Sequence, residues 1–224
     1  MDFKAIYEST ERTLKNDTLS AIQKVRISNP KFLDLGCGDC EFTERIANLI
    51  NPSLVVAVDS SSTRINIAAS KGYTILNTDL NKRLSLRDNS FDIIHMGNVI
   101  EHLNNTDIII KEIRRILSPI GFVFISTNNL ASWHNILALM LGLQPKPSMV
   151  SDEMLISDND ADINMPKHRR LFTFNGLSSL LEYHGLTVID EWGSGYYPFS
   201  GIVQEALSAI DYKHSAYLLV RACK

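Results

Sequence analysis

Three aspartates and a pair of glycines carry the chemistry that is easiest to name in this chain. In the segment KFLDLGCGDCEFTE, residues 31–44, the apolar run Phe32, Leu33 and Leu35 stops at Gly36-Cys37-Gly38, and helical spacing takes over across residues 41–50. That order predicts strand, tight turn, helix. Two glycines around one residue open backbone conformations closed to other residues and leave no side chain between the main chain and a ligand lying across the strand end. Asp34, one residue before the strand ends, can aim a carboxylate at that crevice, and Asp59 closes the next apolar run, residues 54–58. Asp59 lies 21 positions beyond Gly38 (59 − 38), the placement of an acid that accepts hydrogen bonds from ribose hydroxyls. An adenosine group is therefore expected. The turn also restricts the rest of the ligand: a pyrophosphate site wants a third glycine at position 41, whereas this chain has Glu41, whose charge repels phosphate. S-adenosylmethionine has no phosphate, and its sulfonium and ammonium are cations that Asp34 and the turn carbonyls favour.

The segments DLGCGDCEF, VAVDSSS, NTDL, FDIIHMGNVIEHL and GFVFIST follow one another in that order. In kind and order they are similar to the successive motifs of class I S-adenosylmethionine-dependent methyltransferases, of the broad methyltransferase-11/23 type. The resemblance implies an α/β, Rossmann-like fold: a seven-stranded, mostly parallel sheet with helices on both faces and an antiparallel final strand. It also implies that the loop after the third strand holds the adenine, with Asp79 accepting from the exocyclic amine and the backbone amide of Leu80 meeting a ring nitrogen. Asp34, Gly36, Cys37, Gly38, Asp59, Ser60, Asp79, Leu80 and Asn98 make up the expected cofactor set.

On the acceptor side, His102 is the only histidine in the loop that leaves the fourth predicted strand. A neutral imidazole there can take a proton from a hydroxyl as a methyl group moves, which makes His102 the catalytic candidate. Glu101-His102 also resembles part of a metal-binding pattern in small-RNA 2′-O-methyltransferases, which place a further Glu three residues earlier. Asn98 stands at that position, and because hard cations depend on charged oxygen ligands no metal is expected. Residues 128–170 break the strand–helix alternation with an apolar stretch containing Trp133 and His134, then Pro145, Pro147 and an acidic, methionine-bearing segment at 152–165. Such an insertion after the fifth strand reads as a lid over the substrate, with His134 on its substrate side, although packing of the lid on the sheet would use the same residues. HRRLFT resembles an H-x-R-x-F-T segment of bacterial methyltransferases that lies near the substrate, so His168 and Arg170 join the candidates. Tyr196, in a glycine-edged aromatic loop at 193–201, is the last of them.

The remaining elements must hold these groups in place. Residues 1–28 read as two helical segments divided at Asn16-Asp17, helices are expected over 62–71, 107–117 and 175–184, and strands over 73–76, 91–96, 122–126, 187–192 and 215–221. Thr106 is the expected cap of the 107–117 helix, and Lys111, Arg114 and Arg115 are read as its solvated face. A chain of 224 residues with 45% hydrophobic content suits a single domain over 1–224. Net charge of −3 gives no strong nucleic-acid signal, and no apolar run reaches transmembrane or signal-peptide form, so a cytoplasmic location is expected. Three cysteines provide no disulfide framework. Cys37-x-x-Cys40 spells a redox or metal pattern, but small residues in a tight turn account for it as well. The combined expectation is direct methyl transfer from S-adenosylmethionine to a hydroxyl of a small molecule such as a sugar, quinone or related metabolite. RNA or protein acceptors, a nicotinamide oxidoreductase and a non-catalytic cofactor-binding domain are the alternatives; oligomeric state leaves no trace in the sequence.

Overall fold

The computed structural model describes residues 3–61, 73–145, 147–148 and 167–224. The helix expected over 62–71 and the acidic segment 152–165 lie outside the described residues. In chain order the elements are α1 (Phe3–Gln23), β1 (Lys31–Leu35), α2 (Glu41–Ile50), β2 (Leu54–Asp59), β3 (Thr74–Asn77), β4 (Phe91–Gly97), a 3-10 turn (Ile100–His102), α3 (Thr106–Ile116) and β5 (Leu117–Asn128). There follow α4 (Trp133–Met140), α5 (Phe174–Tyr183), β6 (Thr187–Ser194), α6 (Gly201–Ile210), a second 3-10 turn (Tyr212–His214) and β7 (Tyr217–Cys223).

Seven strands form one sheet in the order β3-β2-β1-β4-β5-β7-β6. Strands β1 to β5 pair in parallel, and β7 runs antiparallel between β5 and β6, as expected. Alternation along each strand feeds two cores. Phe32, Ile93 and Phe124 turn to α1 and α2, where they meet Leu14, Ile22 and Ile46; Leu33, Ile94 and Ile125 turn to α3 and α5, where they meet Ile109, Ile113, Leu177 and Leu181. Each of these side chains contributes roughly 1.5–3 kcal/mol by leaving water. Among the described residues no helix is long and apolar enough to cross a membrane.

Four local expectations are corrected by tertiary contacts. The N-terminal segment is one helix, because the polar residues that suggested a break find partners elsewhere. Asn16 accepts from Arg45, Asp17 accepts from Ser194 at 2.5 Å, and Thr18 donates to the Leu14 carbonyl within the helix. Helix α3 is capped by Asn105, whose side chain accepts from the Ile108 amide at 3.3 Å, rather than by Thr106. Strand β5 begins at Leu117, directly after α3, and a register shift opposite Phe91/Ile93 accommodates Pro119. Arg115 is no solvated cation: its side chain is 18% exposed and donates to Glu112, Asp88 and the carbonyls of Leu84 and Leu86. It thereby clamps the loop after β3 onto α3.

Asn129 joins the end of the sheet to the segment that follows. Its amide donates to the carbonyls of Lys213 and Ser215 at 2.9 and 2.8 Å, its side-chain oxygen accepts from the Ala131 amide, and its backbone bridges Phe172 in parallel. That bridge returns residues 167–172 to the carboxyl end of the sheet. Asn129 is fully buried, so Asn129→Leu strands two carbonyls and is expected to lower stability by about 1–3 kcal/mol for each. A urea titration reads this as a lower midpoint at unchanged slope; an unshifted midpoint would show that the joint does not depend on the amide.

Candidate active site

The glycine turn sits where the sequence put it. Gly36 and Gly38 adopt φ of +82° and +57°, and the Gly36 and Cys37 amides donate to the Val58 carbonyl at 2.7 and 3.0 Å, which folds the turn against β2. A Cβ on Gly36 would lie 2.3 Å from Val99 Cγ2, so the turn touches the loop that leaves β4, whereas a Cβ on Gly38 would meet nothing within 4 Å. Gly38 thus presents bare backbone to open space. Asp59, 7% exposed, accepts from the Gly38 amide at 3.0 Å and from the Ser61 amide at 2.8 Å. Ser60, beside it, is exposed. A carboxylate has about four lone-pair sites, so these two bonds leave capacity for a ligand.

Asp79 stands two residues past the β3 end, beside Asp59, whose register partner is Asn77. Its carboxylate accepts from the Asn81 backbone and side-chain amides, both at 2.9 Å, which hold it below the usual carboxylate range. Leu80 is buried in the core with Leu84. Asp34 departs from expectation. Rather than facing the crevice, its buried carboxylate accepts from Thr43 Oγ1 at 2.5 Å and from His95 Nδ1 at 2.8 Å, joining β1 to α2 and β4 under the turn. Thr43 and His95 were not singled out in the sequence, although a histidine inside an apolar strand is a signal of a buried polar partner. The oxidoreductive reading of the cysteines finds no reactive thiol here: Cys37 and Cys40 are buried, and burial pushes the Cys37 thiol up.

The acceptor-side candidates divide into two groups. His102 and His168 come together, ring centroids 4.9 Å apart, with the buried Glu101. The Glu101 carbonyl accepts from the amides of Arg169 and Arg170 at 2.6 and 3.0 Å, and the Arg170 guanidinium donates to the Asn104 carbonyl at 2.9 Å. Burial pushes the Glu101 carboxyl up to about 7 and the His168 imidazole down. The other group lies at the β7 end: His134 packs edge-on to Tyr197 at 4.9 Å, and Tyr196 Oη and Trp133 Nε1 both donate to Asp211. His134 and Tyr196 therefore anchor α4 and the aromatic loop to each other and to the core. Asn98, at φ +52°, donates its amide to the Ser126 carbonyl at 2.9 Å and keeps a buried side-chain oxygen without a partner among the described residues.

A mostly parallel sheet ordered 3-2-1-4-5-7-6, with β7 antiparallel, a glycine turn after β1 and an acid closing β2, has the class I S-adenosylmethionine-dependent methyltransferase fold. Residues 33–125 match the family model of a methyltransferase domain. It is 28% identical over 191 residues, 78% of this chain, to the mitochondrial ubiquinone biosynthesis O-methyltransferase of Rattus norvegicus. It is 30% identical over 179 residues, 76% of this chain, to the ubiquinone biosynthesis O-methyltransferase of Bartonella quintana (strain Toulouse). The matches span 49% and 65% of those two proteins' own lengths. A crystal structure of an S-adenosylmethionine-dependent methyltransferase from Mesorhizobium loti superposes with a TM-score of 0.65 at 18% identity, covering 96% of this chain and 100% of that one.

The bare Gly38 beside Asp59 fits an adenosyl cofactor, and the two glycines separate fold from binding. Gly36→Ala meets both a positive φ and the Val99 side chain, so it is expected to unfold at lower urea than Gly38→Ala, which carries backbone strain of about 1–2 kcal/mol alone. Gly38→Ala is expected to keep its fold and lose at least about tenfold, or ~1.4 kcal/mol, in affinity for S-adenosylhomocysteine by calorimetry. Equal binding by Gly38→Ala and wild type would move the cofactor elsewhere.

Proposed function

We propose that this chain transfers a methyl group from S-adenosylmethionine to a hydroxyl of a small molecule. The observation that carries the proposal is contact between two half-sites. The glycine turn with Asp59 meets, through Gly36 and Val99, the loop that presents Glu101 and His102, so cofactor and acceptor chemistry share one sheet edge. When bound, S-adenosylmethionine supplies an electrophilic methyl carbon on a sulfonium. Asp59 and Asp79 would hold the ribose and adenine, the bare backbone at Gly38 would leave room for the cofactor, and Asp34 stiffens the turn through Thr43 and His95. Direct displacement needs nucleophile, methyl carbon and sulfur in line, so the protein's part is chiefly positioning. The hydroxyl proton has a destination in the Glu101, His102 and His168 cluster, with His102 on the loop next to the turn as its acceptor.

The acceptor class is supported by two further facts. The two relatives above are named as O-methyltransferases of ubiquinone biosynthesis. Helix α4 and the residues after it expose Leu137, Leu139, Met140, Leu141 and Leu143, an apolar surface suited to an acceptor with an apolar body.

Calorimetry is expected to show S-adenosylmethionine binding that weakens at least tenfold, about 1.4 kcal/mol, in Asp59→Ala; no binding by folded wild type would reject the cofactor. His102→Ala is expected to lower turnover by about 10²-fold or more with cofactor affinity retained. Labelled methyl supplied with a cell extract should enter material of low molecular mass that survives nuclease and protease, and label in a nuclease- or protease-sensitive fraction would overturn the acceptor class.

A further inference from the structure

Two helices carry their apolar side outward. In α6 the buried residues are Gln204 and Ser208, and Gln204 is tied to α1: its amide donates to Thr13 Oγ1 at 3.0 Å and its oxygen accepts from Thr10 Oγ1 at 3.4 Å. The opposite side presents Ile202, Val203, Ala206 and Ile210, all exposed, with Ile202 and Ile210 at 84% and 83%. At 3.6 residues per turn these four fall within about 100° of arc, and Gln204 and Ser208 lie on the far side of the helix. Helix α4 repeats the arrangement. Its buried residue is Asn135, whose amide donates to the Asn129 carbonyl at 2.9 Å, while Trp133 and Leu137 are exposed. The two helices meet at Asp211, the residue after α6, which accepts from Trp133 Nε1 at 2.7 Å, so the stripe that ends at Ile210 adjoins the one that begins at Trp133. Phe199, also exposed, extends it at the other end of α6.

We propose that this surface is the two-fold interface of a homodimer, its occupant a second copy of this chain. The exposed parts of these side chains amount to on the order of 800 Å², the share that each partner gives to an interface of standard size and more than monomers usually leave to water in one patch. Residues 199–210 and 133–143 contain neither Lys nor Arg, and Glu205 is their one charged side chain. An apolar centre depleted of charge suits a homodimer, whereas a helix that lies on a lipid surface is rich in Lys and Arg on its polar face. The spacing is also self-complementary. Ile202, Ala206 and Ile210 follow one another at intervals of four and form one ridge of the helix. A two-fold axis passing at Ala206 sets Ile202 of one copy against Ile210 of the other, and the reverse, while the small Ala206 lets the two helices approach closely. Because Gln204 holds α6 to α1 through polar atoms, the ridge stays free for that contact. The interface leaves Leu139, Met140, Leu141 and Leu143 to the acceptor, and it stands independently of the methyl-transfer reading.

Sedimentation equilibrium of the full chain at micromolar concentration is expected to give twice the chain mass. Ile202→Glu and Ile210→Glu are each expected to weaken association by at least about tenfold. Both positions are more than four-fifths exposed, so the fold is expected to survive, which circular dichroism checks. Ala206→Cys in a Cys223→Ser background, where the remaining Cys37 and Cys40 are buried, is expected to link two copies through a disulfide on mild oxidation, and dithiothreitol to separate them. A wild type that stays monomeric at hundreds of micromolar, a dimer that survives both glutamate substitutions, or a dimer that Ala206→Cys fails to cross-link would each overturn the interface. Vesicles of phosphatidylcholine with phosphatidylglycerol supply the last arm: co-sedimentation of a monomeric wild type, abolished by Ile202→Glu, would give the surface to lipid and overturn the dimer. S-adenosylmethionine calorimetry on the same samples reads the other proposal separately, since a monomer that binds the cofactor rejects only the interface and a dimer that does not bind it rejects only the transferase reading.

Discussion

A carboxylate removed from water has to be paired, and Asp34 is paired twice. Thr43 from α2 and His95 from β4 converge on it beneath the glycine turn, so one buried charge ties together the three elements that shape the crevice. Little else fits around that contact. A Cβ on Gly97 would lie 2.9 Å from the His95 ring, and Phe42 packs edge-on against the same ring at 5.3 Å. The turn above is consequently held from below by Asp34, from β2 by the Val58 carbonyl, and from the side by Asp59.

The acceptor side depends on a different kind of constraint, the return of the chain after the fifth strand. Asn129 and Phe172 bridge at the sheet end, and the Glu101 carbonyl receives the amides of Arg169 and Arg170. Backbone groups do this work, so the register of His168 against His102 is set by main-chain hydrogen bonds rather than by the identity of the intervening side chains. Helix α4, which lies between, is moored separately by Trp133 to Asp211 and by Asn135 to the Asn129 carbonyl. The described residues on either side, Asn129 with α4 and the 167–172 segment, are therefore each tied to the rest of the structure.

Local chemistry explains why the cofactor half was legible. A glycine turn, an acid at a strand end and the spacing between them are properties of one short segment of chain, whereas the order of the strands in the sheet is seen only in the folded structure. Polar side chains misled where their partners were remote. Asn16 and Asp17 read as a helix break because Arg45 and Ser194 were not in view, and Arg115 read as solvated because its carbonyl partners lie in the loop after β3. Asp34 read as facing a ligand for the same reason.

The sequence by itself determined the strand–turn–helix unit and the position of the turn beside Asp59, since these rest on periodicity and backbone freedom over a few residues, while the seven-stranded sheet with its antiparallel end was implied by the resemblance of its motifs to a known family. Tertiary structure alone decided which way Asp34 points and that Glu101, His102 and His168 share one site. Side-chain direction and long-range encounter depend on which groups compete for each buried hydrogen bond, and that competition exists only once the chain has closed on itself.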